Sequence, residues 1–223
     1  MKKLEIACFN LESAILAQKA GADRVELCTD MSVGGTTPTL EMIQQARAQL
    51  TLDIYVMIRP RGGNFVYTEI EFQQMKSEIE TIKKRGVNGF VFGILKEDKT
   101  INIEQNKALV ELAKPIPCTF HRAFDAVSNY EQALEEVILC GFSTILTSGT
   151  FSNVIEGKSV LNKLVVQAKN RIEIMPGGGL RSTNSSELNE IVNANWYHSS
   201  AITDESEIAN PNEISQLKKK LQS

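Results

Sequence analysis

The sequence predicts an α/β protein of the (β/α)₈ TIM-barrel class. Short apolar or β-branched runs alternate with longer stretches of helical spacing, eight of each, along the 223 residues. Repeated βα units indicate a parallel sheet, because parallel neighbours are joined by crossover connections. The sequence has no dinucleotide-binding fingerprint, which favours closure into a barrel over a doubly wound sheet. The length is enough for one such barrel, so we expect a single domain over residues 1–223.

In the amino-terminal half of the chain, each apolar run is followed by a stretch with helical spacing. Gly21 and Gly86 follow the first and third of these stretches and are suited to end a helix, because glycine adopts the left-handed conformation without strain. The apolar run 89–95 (GFVFGIL) is typical of a parallel strand that is covered on both faces. The predicted strand and helix of each unit are 4–9 and 11–20, 24–28 and 40–50, 53–59 and 68–85, and 89–95 and 104–113.

In the carboxyl-terminal half the alternation continues without a linker or a low-complexity segment. Pro115 closes the fourth helix, because the residue before a proline is disfavoured in helical conformation. Gly141 follows the fifth helix in the same way as the earlier glycines. The remaining predicted units are 118–124 and 130–139, 144–147 and 157–168, 173–175 and 185–192, and 196–200 and 213–221.

Composition excludes several classes of function. A net charge of −3 and a pI near 5.6 argue against nucleic-acid binding, which needs a basic face. No apolar run is long enough for a membrane helix or a signal peptide. We therefore expect a cytoplasmic protein with reduced thiols, with no nucleic acid or membrane as partner.

Polar and charged residues gather where the predicted strands end. In a barrel the loops after the strands converge on one rim, where binding and catalysis take place. Acid–base chemistry at this rim is assigned to four candidates: Glu26, Arg59, His121 and Asp125. Anion binding is assigned to a second set: Arg61, Arg122, Gly177, Gly178, Gly179 and His198. The alternative, that the arginines only pair with Glu26 and Asp125 to hold the rim together, stays open at this point.

Two of the four cysteines fall near the ends of neighbouring strands. Cys8 and Cys28 lie near the ends of the first and second predicted strands, so they are candidates to face one another. Two close thiolates form a soft site that suits Cu(I), with Met57 or a histidine as a further ligand. The alternative is that each is a small buried hydrophobe. Cys118 opens a strand and Cys140 ends a helix, so both are interpreted as structural.

The motifs together resemble the CutC family. They occur in the order and spacing of that family, and they span nearly the whole chain: ELC at 26–28, GGTTPT at 34–39, VMIRPRGGNF at 56–65, TFHRAFD at 119–125, LTSG at 146–149 and PGGG at 176–179. The resemblance implies a (β/α)₈ barrel, a cytosolic location and copper homeostasis, with Cu(I) bound at Cys8 and Cys28. The family usually has aspartate where this chain has Asn64, which weakens any role of that position as a base or metal ligand.

Two functions follow from these observations. The resemblance favours a copper homeostasis protein that binds Cu(I). The residues at the rim favour an enzyme of lyase or isomerase type, acting on a small phosphorylated or carboxylated metabolite. The expected partner is a copper ion or a small anion, and symmetry preferences favour a homodimer.

Overall fold

The computed structural model describes residues 1–222 and contains eight parallel strands, one in each predicted unit. The predicted (β/α)₈ barrel is therefore confirmed. The strands are β1 (Lys3–Cys8), β2 (Arg24–Leu27), β3 (Asp53–Met57), β4 (Gly89–Phe92), β5 (Cys118–Phe120), β6 (Thr144–Thr147), β7 (Glu173–Pro176) and β8 (Trp196–Ser199).

The sheet runs in chain order from β7 down to β1 and then to β8, so that β1 lies between β2 and β8. Between β7 and β8, a single bridge from Gly177 to His198 completes the ring. Every other neighbouring pair has at least two registered residue pairs. The barrel is thus nearly closed, with its weakest junction between β7 and β8.

The helices alternate with the strands as predicted. They are α1 (Leu11–Lys19), α2 (Leu40–Gln49), α3 (Glu69–Ile82), α4 (Ile103–Ala113), α5 (Tyr130–Cys140), α6 (Lys158–Ala168), α7 (Ser185–Val192) and α8 (Pro211–Gln222). The first five begin at an Asn or Thr side chain that accepts an early backbone N–H. At α3, Thr68 and Glu71 form a reciprocal capping box, which fixes where the loop from β3 ends. In the described part of the chain, no helix is long and apolar enough to cross a membrane.

The largest boundary error lies at β5, which was predicted to continue to residue 124. The strand ends at Phe120, and a short 3₁₀ helix (Arg122–Ala126) follows it. The cause is local: the ring nitrogen Nδ1 of His121 accepts the backbone N–H of Ala123 at 3.3 Å and caps the new turn. The chain therefore turns across the rim at His121 instead of continuing in the direction of β5.

Strand side chains alternate between the two faces of the barrel wall. Leu4, Ile6 and their equivalents pack against the helices in one large apolar cluster. The other face turns into the barrel, where Cys28, Tyr55, Met57 and Val91 form a separate small cluster. The interior also holds charged groups, and these connect its floor to the rim.

Candidate functional site

A cavity of about 450 Å³ opens at the rim formed by the carboxyl ends of the strands. Of the residues predicted for the site, most line it: Glu26, Cys28, Arg59, His121, Arg122, Gly178, Gly179 and His198. The remaining four do not: Cys8, Arg61, Asp125 and Gly177. The polar residues near the carboxyl ends of the strands therefore mark the position of the cavity, because the loops that follow the strands meet at this rim.

A chain of buried charged groups runs below the cavity. The guanidinium of Arg24 donates from Nε to Glu5, and the other oxygen of Glu5 lies 2.8 Å from Nδ1 of His198. On its far side, Nε2 of His198 lies 3.6 Å from Oε2 of Glu26. All four side chains are at most 10% exposed. The cavity is therefore connected to a chain of alternating positive and negative groups in the barrel interior.

Arg24 is held from two sides. Its guanidinium carbon lies 3.9 Å from the ring centre of Tyr55 and 4.0 Å from that of Trp196. Cation–π contacts of this kind strengthen when the groups are withdrawn from water. Arg24 is consequently a fixed positive charge that anchors Glu5.

The pKa shifts of Glu5 and His198 follow from this pairing. Burial raises the pKa of Glu5, but the charge of Arg24 and the bond to His198 outweigh it, so that the pKa is lowered overall. Burial lowers the pKa of His198, but the hydrogen bond to Glu5 and the charge of Glu26 outweigh it, so that the pKa is raised. Glu5 therefore fixes the ring of His198 and stabilises its charged form.

Glu26 has the properties of an acid–base group. Burial raises its pKa to about 7, although the charge of His198 acts in the opposite direction. Its Oε2 faces His198, whereas its Oε1 has no hydrogen-bond partner among the described residues. A carboxyl group of this pKa exchanges protons near neutral pH, which is the requirement for general acid–base catalysis.

His121 is neutral. Burial and the nearby charge of Arg59 lower its pKa to about 3. Because Nδ1 accepts the N–H of Ala123, the ring proton is assigned to Nε2, which has no partner in the described structure. Phe65 packs against the ring at 4.9 Å, and a side chain at Gly93 would come within 2.9 Å of Nδ1. His121, which lines the cavity, thus holds a fixed, neutral ring whose N–H donor has no partner in the described structure.

The buried, neutral state of His121 predicts how stability depends on pH. The folded protein keeps this pKa at about 3, whereas the ordinary value is 6.5. Between these values the unfolded chain binds a proton that the folded chain does not. Acidification below pH 6.5 is therefore expected to lower the free energy of unfolding, by about 1.4 kcal/mol per pH unit from this group. Urea unfolding between pH 6.5 and 4.5 measures it, and His121→Gln should show the smaller slope. Parallel curves for the two proteins would contradict the assignment.

Arg122 and the glycine turn after β7 form one wall. Arg122 donates from Nε to Asp125 at 2.7 Å and from Nη2 to Ser148 at 3.0 Å. A side chain at Gly178 would lie 2.9 Å from the guanidinium carbon, and Gly178 has a φ of +109°. Glycine is therefore required for Arg122 to lie flat against this turn. Arg181 also lines this side of the cavity.

Asp125 acts from below this wall and does not line the cavity. Its Oδ1 accepts from the hydroxyl of Thr147 at 2.5 Å and from the N–H groups of Ser148 and Thr150 at 2.9 and 3.1 Å. Its other oxygen pairs with Arg122. The carboxylate therefore ties the loop after β6 to the arginine that faces the cavity.

Arg59 and Arg61 are engaged by the protein itself. Arg59 donates to the carbonyl oxygens of Val33, Gly35 and Gly63 at 2.7–3.1 Å, which joins the loops after β2 and β3. A second arginine, Arg61, forms an ion pair with Glu71 at 2.5 Å.

Asn64 accepts from Arg61 at 3.1 Å through its side-chain oxygen. The neutral amide therefore fills an acceptor role in this loop, away from the cavity.

The two candidate cysteines lie on different faces of the barrel wall. Cys8 is aligned with Leu27 and shares the outer cluster with it, whereas Cys28 belongs to the inner cluster with Met57. The thiol of Cys28 lies 3.7 Å from the carbonyl oxygen of Cys8. Burial, followed by the charge of Glu26, raises the pKa of both thiols. Cys28 and Met57 line the cavity, and Cys8 lies behind the wall.

A group with the composition of a metal site also lies here. One ligand atom each from Glu5, Glu26 and His198 falls within 4.8 Å of the others. Two carboxylates and an imidazole suit a hard or borderline divalent cation better than Cu(I), which prefers sulfur. Arg24 already pairs with Glu5, which leaves the group little net negative charge with which to attract a cation.

Sequence reasoning missed three residues at the site: Glu5, Arg24 and Arg181. Glu5 gave a signal, because a carboxylate within the apolar run 4–9 requires a buried partner. Arg24 is the first residue of β2, at the end of the barrel opposite the rim, where no functional residue was sought. Arg181 follows the glycine turn by two residues and shows no distinguishing pattern.

The fold and the cavity define a (β/α)₈-barrel protein with a polar, arginine-bearing pocket at the carboxyl ends of its strands. The chain belongs to the CutC family, whose sequence model matches residues 2–203. It is 42% identical to the human copper homeostasis protein CutC homologue over 198 residues. This alignment covers 89% of this chain and 72% of the human protein. It is 41% identical over 200 residues to the family protein CutC of Chromobacterium violaceum, which covers 90% and 81%.

Solved structures agree with this assignment. A crystal structure titled as a candidate copper homeostasis protein CutC from Streptococcus agalactiae superposes with a TM-score of 0.85 at 34% identity, and covers 91% of this chain and all of that one. The phosphoribosylanthranilate isomerase of Thermotoga maritima superposes with a TM-score of 0.66 at 18% identity, and covers 100% and 99%. This second likeness concerns the fold alone.

Proposed function

We propose that the chain acts in copper homeostasis in the cytoplasm and binds Cu(I) at the base of the rim cavity. The names of its human and Streptococcus agalactiae relatives carry this role. The observation that supports a site in this chain is the pairing of a thiol and a thioether, Cys28 and Met57, in the inner cluster at the cavity. Soft sulfur ligands of this kind select Cu(I).

Cys8 is proposed as the second thiolate. Its backbone is adjacent to the thiol of Cys28, and its side chain must turn from the outer cluster to share an ion. Because the pKa of each thiol is raised by burial, Cu(I) has to displace a proton from each on binding. Affinity is consequently expected to fall as the pH is lowered.

Titration of the reduced protein with Cu(I) against a competing chelator tests the copper site. We expect one-to-one binding that weakens at least tenfold in Cys28→Ser and in Cys8→Ser. Cys140→Ser is the matched control, because that thiol lies on α5 at the outside of the barrel, and it should leave the affinity unchanged. Equal affinity in all four proteins would overturn the thiolate site.

An enzyme of lyase or isomerase type is the second candidate, with a small phosphorylated or carboxylated metabolite as its substrate. It is supported by the acid–base group Glu26, the neutral donor His121 and the arginine wall, which all line one cavity. A copper site made of two sulfur ligands does not require an acid–base group, a neutral donor or arginines in the same cavity. The homodimer and the single-domain organisation remain predictions.

A further inference from the structure

Three residues that line the cavity carry a buried polar atom with no hydrogen-bond partner among the described residues: Glu26, Arg59 and His121. Arg59 is held through its other nitrogens, so the argument concerns Oε1 of Glu26 and Nε2 of His121, whose residues are each 3% exposed. Leaving a buried polar group unsatisfied is costly, and at a cavity a bound ligand can supply the missing partner. Both atoms belong to residues that line the same cavity.

The two atoms are chemically complementary. The ring proton of His121 is on Nε2, so this atom donates, whereas the carboxylate oxygen of Glu26 accepts. They come from β2 and from the end of β5, on different sides of the barrel. A ligand that satisfies both must offer an acceptor to one wall and a hydrogen to the other.

The two arginines Arg122 and Arg181, which line the cavity, indicate that this ligand is negatively charged. Arg122 lies flat against Gly178 and is held by Asp125 and Ser148, so its orientation is fixed before any ligand arrives. Arg181 adds a second guanidinium to the same cavity, held in place by hydrogen bonds from Nη1 to the hydroxyl of Ser199 and from Nη2 to the carbonyl oxygen of Ile202. Preorganised guanidinium groups suit phosphate and carboxylate oxygens.

We propose that the cavity catalyses enolisation, the transfer of a proton from a carbon next to a carbonyl group, in a small phosphorylated or carboxylated metabolite. This inference rests on the second candidate function. Glu26 is the catalytic base and His121 the hydrogen-bond donor to the carbonyl oxygen. A neutral histidine suits this role because its ring N–H can donate a hydrogen bond to the oxygen while negative charge develops there.

The step balances without a co-reactant. The C–H bond breaks, and its proton forms an O–H bond with Oε1 of Glu26. The C–H electron pair becomes the new carbon–carbon double bond, and the carbonyl π pair moves to the oxygen that faces His121. Return of the proton to the same carbon completes an exchange. In a hydroxycarbonyl compound, its delivery to the former carbonyl carbon gives an isomer, provided that the hydroxyl proton passes to the former carbonyl oxygen as the new carbonyl group forms.

His198 and Glu5 are positioning residues in this arrangement. Nε2 of His198 lies beside Oε2 of Glu26, and the other oxygen, Oε1, has no partner among the described residues. Glu5 fixes the ring from behind through Nδ1. The carboxylate is thereby oriented before the substrate binds, which is the condition under which a general base is effective.

Hydrogen exchange from D₂O, followed by NMR, tests the reaction. The probes are dihydroxyacetone phosphate for the phosphorylated class and 2-oxobutyrate for the carboxylated class. We expect the protein to exchange the hydrogens next to the carbonyl of at least one probe 100-fold faster than buffer. Glu26→Gln should lower that rate at least 100-fold. Glu173→Gln, at the opposite end of the barrel, is the matched control and should keep it.

Binding of 2-phosphoglycolate, a mimic of the enolate, separates the two levels of the proposal. We expect calorimetry to show binding that Glu173→Gln retains and Arg122→Ala weakens at least tenfold. Binding without exchange on either probe would overturn enolisation and leave the anion pocket standing. Absence of both would overturn the enzyme candidate itself. Exchange that survives in Glu26→Gln would overturn the assignment of the base.

Discussion

Arg24→Met is expected to lower the free energy of unfolding by about 3–5 kcal/mol, because it removes one partner of a buried ion pair. Glu5 is completely buried, and of its ion-pair partners in the described structure it would keep only His198, with the like charge of Glu26 nearby. The methionine side chain still fills the space between Tyr55 and Trp196, so the loss reports the charge more than the volume. Urea unfolding of the variant and the wild type measures the difference.

Two further variants separate charge from packing. Arg171→Ala removes an exposed ion pair with Glu135 and should lower the free energy of unfolding far less than Arg24→Met, because solvent screens this pair. The double variant Glu5→Gln/Arg24→Met should recover part of the loss, since no unpaired carboxylate remains. A loss in Arg24→Met no greater than that in Arg171→Ala would show that the buried pair contributes little.

Asp125→Ala is expected to lower the free energy of unfolding by about 3 kcal/mol and to weaken binding of 2-phosphoglycolate about tenfold. The change leaves the buried hydroxyl of Thr147 and the N–H groups of Ser148 and Thr150 without their acceptor. It also frees Arg122 from its ion pair, so that the guanidinium loses its fixed orientation. Urea unfolding and calorimetry measure the two effects.

Asp125→Asn is the matched variant. Its side-chain oxygen still accepts from Thr147, Ser148 and Thr150, whereas the amide nitrogen no longer pairs with Arg122. Stability should therefore fall by only about 1 kcal/mol, while ligand affinity falls nearly as far as in the alanine variant. Equal stability losses in both variants would show that the contact with Arg122, and not the loop after β6, accounts for the role of Asp125.

Most of the fold could be predicted because its signals are local. The strands are short apolar or β-branched runs, and several helices have a start or stop residue, such as Thr68 or Gly86, next to them. The exception at β5 depends on the side chain of His121, which caps a turn of the backbone that follows it. A strand pattern cannot show that a particular side chain will bond to the chain ahead.

The site was predictable in part. Residues near the carboxyl ends of the strands, such as Glu26 and His198, could be found because the barrel brings strand ends together. Strand parity decided what was missed: Cys8 and Cys28 are near neighbours in the sheet, yet their side chains alternate to different faces. Arg61 carries the same charge as Arg122, and only the tertiary contact with Glu71 shows that it is already engaged.

Only the bridge between Gly177 and His198 joins β7 to β8, and Glu26 lies beside this junction. A bound anion that contacts Gly178 after β7 and His198 in β8 would link the two strands. Ligand binding would then tighten the whole ring, and amide hydrogens of β7 and β8 would become protected together although they lie in different strands. Ligand binding at the junction with the fewest backbone pairs is thus expected to stabilise the whole barrel.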